Sequence, residues 1–273
     1  MTLGFLVYEM SDKRIDYIVE IQHMLMEAGH APVFASKSLV DLSLDVKRVS
    51  RLVEATDADA WIVCAGSRSI LDWFACQDFP AFTLFGGSLD RRFAGAGPNK
   101  NPAYRECVNV LIELGHRRIV LLAKSQRRKP IPGESEQTFL EALEEGGIEV
   151  GEFHLPDWDD RKESLLSCLD SLFKVTPPTA LIIQEATVFT AVQQFLANRG
   201  LKVPADVSLI CSDPDPNFTW CEPTIAHIAW RSRPIVRRII RWADKISRGK
   251  KDLVKSFANA EFIEGGSVGV AKD

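Results

Sequence analysis

The chain has 273 residues, 46% of them hydrophobic and 26% charged, with a formal net charge of −4. Such a chain buries a sizeable core, which excludes disorder, and its net charge gives no general attraction to phosphate backbones or anionic lipid, so this chain alone is not expected to bind DNA. Its six cysteines, none in CxxC spacing, read as reduced core residues.

Met1 leads straight into an apolar run at residues 3–8, without a basic leader or a cleavage site, and no segment is long enough to span a membrane. These features predict a cytoplasmic protein, and the abrupt start in a strand suggests a chain cut from a longer one, which leaves an N-terminal partner domain open. After the strand at 3–8, residues 14–28 carry Ile15, Ile18, Val19, Leu25 and Met26 at helical spacing, stopped by Gly29. A strand at 32–35, a helix at 45–55, a strand at 60–65, a short helix at 69–76 and a strand at 81–85 follow, closed by a Gly86-Gly87 turn. The alternation predicts an open parallel sheet buried on both faces.

The pattern then restarts. A helix at 102–114 ends at Gly115, a strand follows at 118–123, and a helix at 134–145 stops at Gly146-Gly147. Next come a short strand near 152–155, a helix at 160–173 ending before Pro177-Pro178, and a strand at 179–183. A helix at 188–198, a strand at 207–211, a long helix at 234–247 and a strand at 258–263 complete the series. The fold class is therefore α/β with two doubly wound parallel-sheet lobes.

In such sheets ligands bind beyond the carboxyl ends of the strands, where loops meet helix N-termini. That rule selects the loops at 9–14, 66–68, 86–89, 124–128, 184–187 and 213–220, and lobes facing each other would gather them around one cleft. Ser11, Asp12, Arg68, Arg127, Glu185, Asp213 and Trp220 are the candidate ligand-binding residues of these loops, together with Trp230. The same residue types also cap helices or sit in solvated loops, so each has a bland alternative.

Catalytic patterns fail on inspection. The run Gly265-Gly266-Ser267-Val268-Gly269 matches a nucleophile elbow, but no histidine follows Ser267, so it reads as a C-terminal turn. Gly95-Ala96-Gly97 lacks the third glycine of a dinucleotide loop, no phosphate-cradling loop occurs, and the five histidines show no metal-ligand spacing. No enzyme, cofactor or metal is expected.

The segment Leu111-Ile-Glu-Leu-Gly-His-Arg-Arg-Ile-Val120 resembles the helix-to-strand turn in the regulatory core of the LacI/GalR family of bacterial transcription regulators. Further on, Phe139-Leu-Glu-Ala-Leu-Glu-Glu-Gly-Gly-Ile148, the strand opened by Pro178, Gly200-Leu-Lys-Val-Pro-Ala-Asp-Val-Ser-Leu209 and Glu222-Pro-Thr-Ile225 follow in the family's order, and the resemblance covers essentially the whole chain. It implies a fold like the type I periplasmic sugar-binding proteins, with three crossovers near 97–99, 229–231 and 252–256. The lobes would then be 1–98 with 231–252, and 99–230 with 253–273. It also implies a homodimer that senses a small-molecule effector, a sugar or sugar derivative, with DNA bound only through an N-terminal helix-turn-helix outside this chain. A solute-binding protein of a sugar transport system is the alternative for the same architecture.

This chain departs from the family where the effector would sit. Arginine is common six or four residues before the aromatic at Phe139, where Gly133 and Ser135 stand instead. The usual Asn-Asp pair is replaced by Glu185-Ala186, while Asp213 keeps its matching carboxylate. Arg127 or Arg128 could supply the missing cation, and Trp220 and Trp230 could stack on a sugar ring or pack in the core.

Overall fold

A computed structural model describes residues 1–85 and 93–272. It divides into two compact units, Met1–Pro98 with Arg231–Ala258, and Asn99–Trp230 with Asn259–Asp273, so the chain passes from one unit to the other three times.

In the first unit, β1 (Thr2–Leu6), β2 (Ala31–Phe34), β3 (Ala60–Cys64), β4 (Ala81–Leu84) and β5 (Ala94–Asn99) stand in the order β2-β1-β3-β4-β5. Every pairing among them is parallel. The helices α1 (Asp16–Glu27) and α9 (Ser232–Ser247) pack on each other, as do α2 (Val46–Glu54) and α3 (Arg68–Ala75). All five residues of β3 are buried, as a strand covered on both faces requires. Gly4 on β1 is needed for this packing, because a Cβ there would meet the Trp61 ring at 2.7 Å.

In the second unit, β6 (Ile119–Leu122), β7 (Ala180–Ile183), β8 (Ser208–Cys211) and β9 (Ala226–Trp230) run parallel in sequence order. Strand β10 (Lys255–Ile263), which enters this unit at Asn259, pairs with β9 in the opposite sense, from Ala260 against Trp230 to Ile263 against His227. Strand alternation divides the core into two clusters. Ile119, Leu121, Ala180 and Ile182 face α4 (Asn101–Glu113) and α6 (Glu134–Glu145). Val120, Leu122, Leu181 and Ile183 face α7 (Lys162–Val175) and α8 (Ala186–Asn198). The chain between β6 and α6 forms one further short helix, α5 (Ser125–Arg128).

Several expectations need correction. The sheets are mostly rather than wholly parallel, since β10 is antiparallel to β9. Residues 152–155 form a turn instead of a strand. There the His154 carbonyl accepts from the Leu121 N–H at 2.8 Å, and the His154 ring takes the Ile119 carbonyl at 2.7 Å, which stops a ladder from extending. Strands β5 and β9 were not expected, because glycine, proline and histidine break their apolar alternation. Of the six cysteines only Cys64, Cys107 and Cys211 are buried, while Cys76 is exposed, and all six are free thiols.

The C-terminal run is a clasp. Ser267 is fully buried, its hydroxyl donating to the Leu209 carbonyl at 2.7 Å and accepting from the Ala226 N–H at 2.9 Å. It has no role as a nucleophile, because both bonds serve to tie the tail to β8 and β9. Next to it, His116 is held between the Thr179 hydroxyl at Nδ1 (2.9 Å) and the Gly269 carbonyl at Nε2 (2.9 Å). The carbonyl only accepts, so Nε2 carries a proton.

Burial lowers the pKa of His116 from its ordinary 6.5, against the opposing pull of the Gly269 carbonyl. The unfolded chain then binds a proton that the folded one refuses. The stabilisation from this ring is therefore present above about pH 6.5 and is lost as pH falls through the folded pKa. Urea melts at a series of pH values are expected to show a midpoint falling below that point, with the slope reduced in a His116→Gln variant. An unchanged slope would exclude the ring as its source.

Candidate functional site

The two units are taken in turn. In the first, the loop after β1 winds into a 3-10 turn, Met10–Arg14, in which the Asp12 carboxylate accepts from the Glu9 N–H at 2.9 Å. Asp12 therefore works at least partly as a cap, and Ser11 beside it is exposed. Arg68 opens α3 and is exposed, preceded by Ser67, whose hydroxyl lies 3.2 Å from that of Ser69. The expected loop at 86–89 lies outside the described residues.

In the second unit a larger polar cluster gathers at the carboxyl ends of β6, β7 and β8. Lys124 follows β6, Gln184 and Glu185 follow β7, and Ser212 and Asp213 follow β8. The amino ends of α4 and α6 bring Lys100, Asn101, Tyr104, Ser135 and Glu136 to the same edge. Parallel strand order produces this meeting, because each βα loop ends on the same side.

The cluster centres on Glu136, whose side chain is wholly buried. Its Oε1 accepts from the Gln184 amide at 2.7 Å and from Arg127 Nε at 3.2 Å. Its other oxygen has no hydrogen-bond partner among the described residues. Gln184 in turn accepts from the Lys124 N–H at 3.0 Å, and its carbonyl takes the Ser212 hydroxyl at 3.1 Å. Asp213 forms an ion pair with Lys100, Glu185 pairs with Lys124 at 3.0 Å, and Ser135 donates to Asn101 at 3.1 Å.

These neighbours set the protonation states. Desolvation is the largest influence on Arg127 and opposes its charge, but Glu136, by charge and hydrogen bond, together with Tyr104 and Asp213 more than offsets it and holds the guanidinium above its ordinary pKa. Burial, reinforced by the Glu136 charge, pushes the Tyr104 phenol well above 10, against a hydrogen bond with Ser212. Tyr104 is therefore a neutral donor. The cluster offers paired charges, amides and hydroxyls for orienting a polar molecule, and no activated nucleophile.

The geometry also explains the glycine at 133. A Cβ there would stand 2.5 Å from the unpaired Glu136 oxygen and 3.6 Å from the Arg127 Cζ. Glycine leaves room for that carboxylate, and Arg127 brings a guanidinium to the place beside it. Arg128 does something else. It is buried and donates to the Ala123 carbonyl at 2.8 Å, with further bonds to Asp157 and the Trp158 carbonyl, so it ties loops together.

Of the expected residues, the structure brings Arg127, Glu185 and Asp213 to one edge of the second unit. Trp220 ends a 3-10 turn, Pro216–Trp220, and is 89% exposed. Trp230 closes β9, half-buried against the core. Sequence reasoning missed Glu136, Gln184, Lys100 and Tyr104. A glutamate in a first helical turn reads as dipole compensation, and nothing local marks it as a buried hub. Among the described residues no group of His, Cys, Asp and Glu is arranged to hold a metal, and no helix is long and apolar enough to cross a membrane.

Residues 108–268 match the family model of the periplasmic binding protein-like domain. The chain is 28% identical over 158 residues to the probable HTH-type transcriptional regulator EndR of Paenibacillus polymyxa, covering 56% of this chain and 46% of that protein. It is 29% identical over 125 residues to the HTH-type transcriptional repressor CytR of Escherichia coli, covering 45% of this chain and 36% of that one. The matches thus span less than half the length of either relative. The fold is similar to that of a LacI family transcriptional regulator from Enterococcus faecium with bound ribose, at a TM-score of 0.78 and 15% identity over all of both chains.

Proposed function

The chain belongs to the periplasmic binding protein-like domain family, in the form carried by LacI-type transcription regulators, and from that premise we propose that it is the effector-sensing core of such a regulator. The relatives are regulators rather than enzymes. A small polar molecule, a sugar or sugar derivative, binds where Arg127, Glu136, Gln184 and Asp213 meet. Sequence-specific DNA recognition belongs to a helix-turn-helix outside these residues, and the core works as a homodimer that passes the bound state to it.

The observation that carries this reading is the convergence of charged and amide side chains on the carboxyl edge of β6, β7 and β8, where open α/β sheets bind ligands. The ribose bound by the Enterococcus faecium neighbour supports a sugar as the first class to try. A thermal-shift screen with ribose, cellobiose, sugar acids, sugar phosphates and nucleosides tests it. A ligand bound only by the folded state adds about 2.7 kcal/mol at a hundredfold excess over its Kd, a readily visible rise in melting temperature. Silence across all of these classes would overturn the sugar assignment.

A further inference from the structure

The net charge of −4 conceals a strong local imbalance. Between Arg231 and Lys251 the chain carries nine cationic side chains against one carboxylate, Asp244. Most of them lie on α9, whose buried face is set by Ile235, Val236, Ile239 and Trp242. Arg233, Arg237, Arg241 and Arg248 are all exposed, and their spacing of four, four and seven residues puts them in one stripe on the solvent face. The stripe is about 22 Å long at 1.5 Å per residue. Among the described residues none of these four arginines has a carboxylate partner, and Lys250 and Lys251 extend the charge past the helix end.

Asp252 takes two of the nine, Arg238 at 2.7 Å and Lys245 at 3.2 Å, and the other adjacent acids do not neutralise the four exposed arginines. Asp244 is 3.2 Å from His30, Glu20 on α1 accepts from Ser232 at 3.0 Å, and Glu27 lies 3.6 Å from His23. The stripe also has a defined place in the unit. His30 immediately precedes β2, and the next N–H, that of Ala31, donates to the Met1 carbonyl at 2.9 Å. The later turns of α9 therefore lie at the same end of the sheet as the first residue of the chain. A folded surface that leaves this many guanidinium groups unpaired, in an otherwise acidic chain, is matched to a polyanion whose phosphates each take a planar, two-pronged donor.

We propose that the solvent face of α9, with the Lys250-Lys251 extension, binds the phosphate backbone of duplex DNA and adds sequence-independent affinity to the regulator. This rests on reading the chain as the core of a DNA-binding regulator, as its HTH-type relatives are named. The contacts carry no sequence information; they shorten the search and raise affinity at low salt.

The test uses the 273-residue chain and a fluorescent random-sequence duplex of about 30 base pairs, with anisotropy read from about 50 to 200 mM salt. The chain is expected to bind weakly, in the range of about 1 to 100 µM at the lowest salt, with affinity falling steeply as salt rises. A variant carrying Arg233→Gln, Arg237→Gln, Arg241→Gln and Arg248→Gln is expected to lose about four units of the log–log salt slope. Its melting temperature reports whether it folds. Independently, acetylation of Lys245, Lys250 and Lys251 in the parent chain, read by mass spectrometry, should be suppressed by the duplex. No binding by the parent, equal binding by a folded variant, or unprotected lysines would overturn the proposal. Preference for polyglutamate over the duplex would overturn it too and assign the stripe to an acidic protein. A sugar-induced thermal shift that survives any of these failures would leave the sensing core standing and remove only the DNA contact.

Discussion

Asp252→Ala is expected to cost about 3–5 kcal/mol, the largest stability loss of any single substitution considered for the first unit. The Asp252 side chain is 1% exposed and accepts from Arg238 Nη2 at 2.7 Å and Nη1 at 3.2 Å, from Lys245 at 3.2 Å and from the Val254 N–H at 3.0 Å. Burial alone would raise its pKa, but the Val254 N–H, Lys245 and Arg238 together hold it below the ordinary carboxylate value. Arg238 is itself buried, 5.5 Å above the Phe82 ring, and loses its carboxylate when Asp252 is removed. An unpaired buried guanidinium is what makes the loss large; the pair by itself is worth much less. Thermal denaturation should show the melting temperature lower by about 2–4 °C for each kcal/mol. The paired replacement Arg238→Met with Asp252→Leu should recover much of it. If the single variant melts within a degree or so of the parent, the buried-pair account fails.

Asp213→Ala is expected to remove the response to whichever effector the screen identifies while leaving the fold nearly as stable. Asp213 sits in the loop after β8, half exposed, and its ion pair with Lys100 is of the kind worth about 0–1 kcal/mol to folding. A charged hydrogen bond to a ligand hydroxyl is worth about 1.5–3 kcal/mol, so affinity should drop by roughly ten- to more than a hundredfold. Lys100→Met separates two accounts of the carboxylate. If Asp213 serves the ligand, that variant keeps binding; if it only anchors Lys100, both variants behave alike. Isothermal titration on the folded variants reads the difference, and unchanged affinity in Asp213→Ala removes it from the site.

The relation between α9 and the net charge shows what composition conceals when charge is unevenly placed. A total of −4 is consistent with a general lack of DNA affinity, yet it is the sum of an acidic body and one strongly basic helix. The arginine spacing that makes a single stripe was present in the sequence, but only the burial of Ile235, Ile239 and Trp242 shows which side of the helix faces water.

The candidate site was partly legible for a similar reason. Asp213, Glu185 and Arg127 could be chosen because they follow strands, and a loop beyond a parallel strand is a place where ligands bind. Glu136 could not be chosen, because its importance comes from Gln184, 48 residues away, and from Arg127 reaching back to it. The choice between Arg127 and Arg128 was open for the same reason. Adjacent residues in a short helix point in different directions, and here one meets Glu136 while the other is drawn to Asp157 and the Ala123 carbonyl.

By itself the sequence determined the βαβ alternation, most helix and strand positions, and the resemblance to a family of regulators. These depend on apolar period, caps and turn residues, which act over one or two turns or a single strand and so are written locally. The tertiary structure alone decided that β10 runs against β9, that the Ser267 hydroxyl clasps β8 and β9, and that Asp252 is a buried partner of Arg238. It also decided that Gly133 makes room for Glu136. Each of these depends on which distant segments the strand order brings within hydrogen-bonding distance. A side chain's partner across the fold is set by that geometry, and no local pattern in the chain encodes it.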